Sequence, residues 1–464
     1  MAQTNFDVLV IGGGPGGYVA ALRAAQLKLR TALVEREHLG GICLNWGCIP
    51  TKSLLHTADT LRRIRHAGDL GLDVAEPAID FPRVMARSRG VAQRLNRGVS
   101  QLLRKAGVTV FDGHAVFASD RSVRVRAADG STQTLRARHT IVATGAHARV
   151  LPALPFDGDR VWSYRDALAA RSLPASLLVI GAGAIGMEFA SFYATLGTQV
   201  TVVEAQARVL PTGDAEVSAF VAKAFERDGI RLRTGARLES AQVGPDGVRV
   251  NLLTATGLET LQAERVLVAV GLAGNTDGLG LEHTRVALER GLIAADASGR
   301  TADPEVHAIG DVTGAPMLAH RASHQGLACV ERLAGLQGHA TAPLIPSCVY
   351  SHPPSASVGL TEEEAHALGR PLRVGRFPLE ASGKAIAIGE ATGFVKTVFD
   401  ADTGALLGAH IVGPEATELI HGFTLAGTLE ATEAELMETV FPHPTLSEAL
   451  HESVLAAFGR PLHI

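Results

Sequence analysis

The chain has 464 residues, of which 46% are hydrophobic and 50 are glycine, enough for roughly three domains with their own cores. A net charge of −4 gives no electrostatic footprint for nucleic acid or an anionic membrane. The apolar run 177–187 is too short to span a bilayer, and residues 1–5 lead into an apolar segment without a basic leader. We therefore expect a soluble, cytoplasmic protein whose partners are small molecules or other proteins.

The chain begins with a dinucleotide-binding pattern. A buried-strand pattern over 6–11 runs into a glycine turn and then an alanine-rich helix pattern. Gly12, Gly14 and Gly17 fit G-x-G-x-x-G, in which the first glycine permits the turn, the second lets pyrophosphate approach, and the third lets helix pack on strand. Glu35 ends the next strand pattern, at the distance expected of a residue that binds ribose hydroxyls. Strand, turn, helix and acid together predict a nucleotide site.

The segment 40–52 holds two cysteines five residues apart, Cys43 and Cys48. Pro50 is a favoured first-turn residue, so a helix should begin near Cys48, where the backbone dipole favours a thiolate. Lys52, one turn further along, adds a second positive charge. One sulfur is therefore activated while its partner stays nearer the loop. This asymmetry suits a redox-active disulfide.

Other interpretations of this cysteine pair remain to be weighed. Without context, two inert buried thiols would be favoured. A zinc site is disfavoured because Cys329 and Cys348 are isolated and no second pair completes tetrahedral ligation, so we expect no metal. Four cysteines are too few for the disulfide framework of a secreted protein. The nucleotide patterns on either side favour the redox interpretation.

A second dinucleotide-binding pattern follows. A strand pattern over 176–180 leads into the glycine turn 181–186, a helix pattern and a strand pattern that ends in Glu204. In both patterns the acid stands 23 residues after the first glycine. Glu204 would bond a free 2′-hydroxyl and repel a 2′-phosphate, which favours NAD over NADP. The alternative for Glu204 is a solvated carboxylate at a strand end.

The remaining sequence is more mixed. From His56 to Leu103 the pattern is helical with an arginine-rich face, which we interpret as solvated surface. A strand pattern over 304–311 places Asp311 at its carboxyl end, where ligands of parallel sheets collect. From about Ile345 onward short strands mix with helices, which indicates a separate α+β domain.

A candidate base lies near the end of the chain. His443 stands between two prolines, and with Pro444 in a first turn, Glu448 would lie on the helix that follows. Its carboxylate could then hold the imidazole in one tautomer. A single histidine among 18 usually has no catalytic role. Here, however, the prolines on both sides fix the backbone of His443, as a positioned base requires.

Together these features resemble the dihydrolipoyl dehydrogenases of the pyridine nucleotide-disulfide oxidoreductase family. The resemblance runs from Asp7 to Ile464 and rests on the cysteine segment, both glycine motifs, and the motifs 308–311, 317–320 and 443–448 in family order. Residues 317–322 and the C-terminal tail are most similar to the form that serves bacterial branched-chain 2-oxo acid dehydrogenase complexes.

The resemblance implies an α/β fold with two Rossmann-like dinucleotide-binding domains, one for FAD and one for NAD, and a C-terminal α+β dimerisation domain. The expected domains are an FAD domain in two parts (1–149 and 275–345), an NAD domain (150–274) and an interface domain (346–464). It also implies a homodimer that oxidises dihydrolipoamide on the lipoyl domain of an acyltransferase component or another lipoylated protein.

The family motifs assign roles by position. FAD would be held by Gly12, Gly14, Gly17, Glu35, Gly40, Gly41, Lys52, Ala115, Thr144, Gly145, Asp311, Met317, Leu318, Ala319 and His320. NAD would be held by Gly181, Gly183, Ala184, Ile185, Gly186, Glu204 and Gly271. The catalytic set would be Cys43 as interchange thiol, Cys48 as flavin-facing thiol, Lys52 paired with Glu188 near the flavin, and His443 with Glu448 behind it, delivered from the other subunit.

The chain departs from the family at Leu272, Ala273 and Gly274, which stand where an arginine and a proline are usual before Asn275. The rigidity of this segment near the NAD site therefore stays open, whereas the chemistry is unaffected.

Two alternative functions remain open. One is another NAD(P)H-dependent disulfide reductase of the same fold. A glutathione-type enzyme would have basic residues where Glu204 stands, because it binds NADPH. A mercuric reductase would have a further cysteine pair at the C-terminus. A catalytically silent scaffold subunit that keeps FAD for structure is the other. It is disfavoured because the chain keeps Cys43, Cys48, Lys52, His443 and Glu448.

Overall fold

The computed structural model describes residues 4–336 and 344–464. The described strands, in chain order, are β1 (Thr4–Ile11), β2 (Thr31–Glu35), β3 (Thr109–Asp112), β4 (His114–Phe117), β5 (Val123–Arg126), β6 (Thr132–Val142), β7 (Ala146–Ala148), β8 (Val161–Trp162), β9 (Ser176–Ile180), β10 (Gln199–Val203), β11 (Arg231–Arg233), β12 (Arg237–Gly244), β13 (Gly247–Thr254), β14 (Gly257–Ala263), β15 (Arg265–Val268), β16 (Leu272–Gly274), β17 (Leu288–Glu289), β18 (Leu292–Ile293), β19 (Val306–Ala308), β20 (Ser347–Val349), β21 (Ser355–Gly359), β22 (Leu372–Pro378), β23 (Phe394–Asp400) and β24 (Leu406–Val412).

The described α-helices are α1 (Pro15–Gln26), α2 (Gly41–Trp46), α3 (Cys48–Arg65), α4 (Phe81–Lys105), α5 (Tyr164–Ala167), α6 (Ala184–Thr195), α7 (Ala215–Arg227), α8 (Ala319–Leu333), α9 (Glu362–His366), α10 (Gly383–Ala387), α11 (Ala416–Thr428), α12 (Glu433–Glu438) and α13 (Glu448–Ala457). Short 3₁₀ turns cover Ala67–Leu70, Leu281–His283, Gly310–Thr313 and Leu379–Ala381. Within the described ranges, no helix is long and apolar enough to cross a membrane.

The chain divides into two units. The first unit comprises the described residues within Met1–Ser53, Pro82–Arg149 and Gly271–Ala342. Its main sheet has the order β3-β2-β1-β6-β5-β4, with β19 paired to β6. The strands β3, β2, β1, β6 and β19 run parallel, whereas β4, β5 and β6 pair antiparallel. The near-continuous apolar run of β1 suits a parallel strand that is buried on both faces.

The second unit comprises the described residues within Leu54–Phe81, Val150–Val270 and Pro343–Ile464. It contains a parallel sheet of order β11-β10-β9-β15-β8 and a three-stranded antiparallel sheet, β12-β13-β14. Its C-terminal part forms an antiparallel sheet of order β20-β21-β24-β23-β22, whose core is shared with α11 and α13. The expected fold class, two Rossmann-like regions and a C-terminal α+β region, is confirmed; the domain boundaries stay predictions.

The continuous helical pattern expected from His56 to Leu103 is wrong in its middle. Helix α3 ends at Arg65 and α4 begins at Phe81, with neither helix nor strand over 71–80. Gly71 adopts φ 77°, a left-handed conformation that ends the 3₁₀ turn. Pro82 then occupies the first turn of α4, where its missing amide hydrogen breaks no helical bond.

Candidate active site

Two consecutive helices carry the cysteine pair. Cys43 lies in the short helix α2, and α3 begins at Cys48 after a break at Gly47. The predicted helix start at Cys48 is therefore confirmed, and the first residue of α3 lies at the positive end of the helix dipole. The expectation that Cys43 lies in a loop is wrong.

Local contacts explain why α2 forms. Gly40 and Gly41 adopt φ values of 88° and 57°, a left-handed turn that other residues rarely make. A Cβ at Gly40 would lie 2.6 Å from the side chain of Leu44. The Asn45 amide then donates to the carbonyls of Leu39 and Gly41, each at 2.9 Å. These bonds fold the segment into a helical turn too short to be recognised by periodicity.

The side chains of the two cysteines form a hydrogen bond with each other. A hydrogen bond with Cys48, burial and the negative charge of a Cys48 thiolate raise the pKa of Cys43 far above its usual range. The charge of Lys52 opposes this effect. Burial and the contact with Cys48 therefore disfavour a thiolate on Cys43.

Helix α4 holds the backbone on both sides of the pair. Ser88 Oγ donates to the Pro50 carbonyl at 2.9 Å, and Asn96 Nδ2 donates to the Leu39 carbonyl at 2.6 Å. The guanidinium of Arg89 donates to the Asn45 carbonyl and lies 4.1 Å from the centroid of the Trp46 ring.

The prediction that the arginine-rich face is solvated surface is wrong for Arg89, so the sequence did not indicate these contacts. It is wrong for Arg62 also, which donates to Ser191 Oγ at 2.9 Å. The spacing of Ser88, Ala92, Asn96 and Val99 on one face of α4 is the signal that could have found the contact face.

The first glycine turn has the geometry of a diphosphate cradle. Gly12 adopts φ 104°, and a Cβ there would lie 2.3 Å from the Ala143 carbonyl oxygen. A Cβ at Gly17 would lie 1.8 Å from the Gly12 carbonyl oxygen, so α1 packs on β1 only with glycine at this position. The two carboxylate oxygens of Glu35 accept the amides of Gly13 at 2.7 Å and Glu37 at 2.8 Å.

The second glycine turn repeats this geometry. Gly181 adopts φ 105°, and a Cβ there would lie 2.4 Å from the Ala269 carbonyl oxygen. A Cβ at Gly186 would lie 1.9 Å from the Gly181 carbonyl oxygen. The carboxylate of Glu204 accepts the amides of Ala182 and Gln206, each at 2.8 Å. Glu204 is therefore a positioned, buried carboxylate, and the alternative of a solvated one is excluded.

Both turns fit a dinucleotide. Helices α1 and α6 have Gly14 and Gly183 as N-caps, so no side chain occupies their first-turn amides. No described atom lies within 4 Å of a Cβ built on Gly183. Free amides at a helix N-terminus bind phosphate, and the carboxylates of Glu35 and Glu204 keep lone pairs for ribose hydroxyls.

The segment near the predicted NAD residue Gly271 is held by a backbone ladder. Strand β16 pairs with β7, and Asn275 and Thr144 bond each other twice, through Thr144 Oγ1 to the Asn275 carbonyl and Asn275 Nδ2 to the Thr144 carbonyl, both at 2.8 Å. The amide of Asn275 also donates to the Gly145 carbonyl at 2.9 Å. The segment is thus fixed without the arginine and proline that are usual in the family.

Asp311, residues 317–320 and Ala115, which are further predicted FAD residues, occupy three places in the first unit. Asp311 lies in the 3₁₀ turn after β19; burial raises its pKa, and Arg321 opposes that rise. Met317 and Leu318 precede α8, whose first residues are Ala319 and His320. Ala115 is buried in β4. A partner that the sequence did not indicate is Gln325, whose side-chain oxygen accepts the Gly310 amide at 2.8 Å.

Glu188 lies on α6 and is 5% exposed. Its carboxylate accepts the Tyr350 amide at 3.1 Å, a contact that the sequence did not indicate because the two residues are far apart in the chain. Lys52 lies on α3, one turn after Cys48. The pairing of Lys52 with Glu188 stays a prediction.

The candidate base is oriented as expected. Nδ1 of His443 lies 2.9 Å from Oε1 of Glu448, and the imidazole side chain is 78% exposed. Pro444 does not stand in a first helical turn, which corrects the prediction: α13 begins at Glu448. The Thr445 amide donates to the Glu448 side chain at 2.8 Å.

The chain matches the family described as pyridine nucleotide-disulphide oxidoreductase over residues 6–326 and the dimerisation domain of that family over residues 345–454. It is 53% identical to the dihydrolipoyl dehydrogenase of Zymomonas mobilis subsp. mobilis, with 99% of each chain covered. It is 42% identical to the dihydrolipoyl dehydrogenase of Bacillus subtilis, again with 99% of each chain covered.

Two solved structures are similar to this chain over almost its whole length. LpdA from Mycobacterium tuberculosis is similar with a TM-score of 0.90 at 31% identity, covering 97% of this chain and 99% of that one. The HOCl-induced flavoprotein disulfide reductase RclA from Escherichia coli is similar with a TM-score of 0.85 at 27% identity, with 97% and 99% covered.

Proposed function

Because the chain belongs to the pyridine nucleotide-disulphide oxidoreductase family, we propose that it acts as a dihydrolipoyl dehydrogenase, oxidising dihydrolipoyl groups and reducing NAD⁺. The observation that carries this proposal is the contact between Cys43 on α2 and Cys48, the first residue of α3, at the positive end of the helix dipole. An activated thiolate beside a protonated partner thiol is what a redox-active disulfide leaves on reduction.

FAD and NAD are the cofactors. The glycine turn at Gly12 with Glu35 would hold FAD, and the turn at Gly181 with Glu204 would hold NAD. When bound, the flavin supplies two-electron transfer from a dithiol to the nicotinamide. The buried carboxylate of Glu204, already fixed by two amides, would repel a 2′-phosphate, which supports NAD over NADP.

The chain's own residues carry out the thiol chemistry. In the disulfide state of the enzyme, His443 takes a proton from one substrate thiol at Nε2, while Glu448 holds Nδ1. The substrate thiolate attacks the sulfur of Cys43, the Cys43–Cys48 bond breaks, and Cys48 leaves as a thiolate. The sulfur of the second substrate thiol then attacks the substrate sulfur of this mixed disulfide and forms the cyclic substrate disulfide. The bond to Cys43 breaks, and Cys43 leaves with the proton of the second thiol, while His443 keeps the first proton. The helix dipole at Cys48 stabilises the thiolate that remains.

The match to a dimerisation domain supports a homodimer. We propose that His443 serves the redox pair of the other subunit, which its 78% exposure supports. The substrate would be dihydrolipoamide borne by the lipoyl domain of a 2-oxo acid dehydrogenase complex, and the resemblance of residues 317–322 favours the branched-chain type. The location that suits such a complex in bacteria is the cytoplasm.

A direct test compares two reactions of the FAD-loaded protein: dihydrolipoamide with NAD⁺, and glutathione disulfide with NADPH. We expect the first reaction to proceed and the second to have a kcat/KM at least about 100-fold lower. The reason is that a site whose carboxylate binds the 2′-hydroxyl of NAD discriminates strongly against the 2′-phosphate of NADP. Faster reduction of glutathione disulfide with NADPH would identify a different disulfide reductase. Inactivity of the yellow protein in both reactions would point to a silent scaffold subunit.

A further inference from the structure

Helix α4 has an unusual distribution of charge. Its sequence contains seven basic residues and no acidic residue. Five arginines are spaced so that they share one face of the helix, and all five are exposed. We call this face the arginine row, and it consists of Arg83, Arg87, Arg94, Arg97 and Arg104. At helical rise the row is about 32 Å long.

The opposite face of α4 fixes the direction of the row. Met85, Ala92, Val99 and Leu103 are buried, so the arginines lie on the solvent side. Among the residues that the structure describes, Arg94, Arg97 and Arg104 have no ion-pair partner. Like charges at i,i+3 and i,i+4 destabilise a helix by about 0.2–0.5 kcal/mol per pair, so the row is locally unfavourable. Such local conflicts are expected at functional surfaces.

The row runs beside the redox pair. Arg87 donates to Ser53 Oγ at 2.7 Å, and the next residue, Ser88, bonds Pro50 on the first turn of α3. Along the flank of the row, Leu95 and Leu102 are 39% and 52% exposed. A partner that binds the arginine row would therefore contact both charged and apolar side chains. It would do so on a helix that itself contacts the segment carrying Cys43 and Cys48.

We propose that the arginine row docks the acidic surface of the lipoyl-bearing protein domain that delivers the dihydrolipoyl group. This inference rests on the proposed function, because that function requires a protein-borne dithiol to reach the redox pair and leave again in each cycle. Exposed charges raise the association rate through long-range attraction while adding little to the lifetime of the complex. A basic row on a chain of net charge −4 supplies this attraction locally, and the negative chain as a whole disfavours nucleic acid.

The test measures KM for two substrates with FAD-loaded enzyme: free dihydrolipoamide, and a reduced lipoylated protein domain of net negative charge. The row variant is Arg94→Glu, Arg97→Glu, Arg104→Glu. The matched control is Arg124→Glu, Arg126→Glu, Arg249→Glu, which changes three exposed arginines of β5 and β13 and gives the same net charge. KM is measured at low and at physiological ionic strength, and binding of a short DNA duplex is measured in parallel.

We expect the row variant alone to raise KM for the protein domain about tenfold at low salt, with an unchanged KM for free dihydrolipoamide. The wild-type KM for the domain should rise with salt, and the row variant should lose most of this dependence. An unchanged KM for the domain would overturn the docking surface while free dihydrolipoamide turnover upholds the proposed function. Loss of DNA binding with an unchanged KM would also overturn it, in favour of nucleic acid. Wild-type inactivity towards both substrates would reject the proposed function itself.

Discussion

The imidazole of His443 lies 2.9 Å from the carboxylate of Glu448, whose second oxygen accepts the amide of Thr445 at 2.8 Å. Burial opposes ionisation of Glu448, but the Thr445 amide and His443 outweigh it and hold its pKa below the usual value. Glu448 thus stays ionised through the neutral range and fixes which nitrogen of His443 faces outward.

Replacing Glu448 by alanine should therefore lower kcat/KM for dihydrolipoamide roughly 100-fold, because His443 loses its orientation as a base. Oxidation of NADH by ferricyanide, which needs no thiol exchange, should be unaffected. Glu380→Ala, at an exposed glutamate of the same unit, is the matched control. Equal loss in both reactions would assign Glu448 a structural role only.

Removing the contact of Arg89 with Trp46 should loosen the turn between the cysteines. The contact is worth about 1 kcal/mol, so Arg89→Met should lower kcat about fivefold. Trp46 and Trp162 are the two tryptophans of the chain, so in a Trp162→Phe background the emission of Trp46 reports the turn directly. We expect the emission maximum of Trp46 to shift to longer wavelength in Arg89→Met and to shift less in Arg89→Lys. An unchanged emission maximum would contradict the view that Arg89 holds the turn at Trp46.

The two glycine turns should fail separately. In Gly12→Ala the new Cβ meets the Ala143 carbonyl, and in Gly181→Ala it meets the Ala269 carbonyl, each at a left-handed backbone position. Gly12→Ala should purify with less than about a tenth of the wild-type flavin absorbance. Gly181→Ala should keep its flavin and lose NADH binding, measured by calorimetry. Loss of flavin from Gly181→Ala would contradict the assignment of the two cofactors.

Lys396 anchors a buried charge cluster in the second unit. Its ammonium, 1% exposed, lies 2.8 Å from Asp214 and 3.0 Å from Glu216. Lys396→Met leaves the buried Asp214 carboxylate without its cation and should destabilise the fold by about 3–5 kcal/mol. Urea unfolding followed by circular dichroism measures this loss, with Lys223→Met on α7 as the exposed control.

The same cluster predicts a pH dependence. Bonding to Arg376, opposed by burial and helped by Lys396, lowers the pKa of Glu216 from 4.5 to about 2. A lowered carboxyl pKa stabilises the fold above the unfolded value, and this stabilisation is lost as pH falls from 4.5 towards 2. The urea midpoint should therefore fall over this range, and fall less in Lys396→Met. An equal fall in both proteins would exclude Lys396 from the shift.

Much of the site could be predicted from the sequence because its determinants are local. Each glycine turn needs its glycines within six residues, and the orienting carboxylate of Glu448 stands five residues after His443. The contacts of α4 with the redox segment could not be predicted, because Arg89 and Asn45 are 44 residues apart and meet only in the folded chain. The helix that carries Cys43 could not be predicted for a different reason: it is a single short turn without a periodic pattern, and it depends on the left-handed backbone of Gly40 and the side-chain hydrogen bonds of Asn45.

The most direct test of the account is turnover of dihydrolipoamide with NAD⁺ by wild type, Cys43→Ser and Cys48→Ser. We expect rapid NADH formation by the wild type and a loss of more than about 10³-fold in kcat/KM in each variant, because neither variant can form the disulfide that accepts the substrate's electrons. Retained flavin absorbance shows that both variants are folded. Undiminished turnover by Cys43→Ser would contradict the central claim.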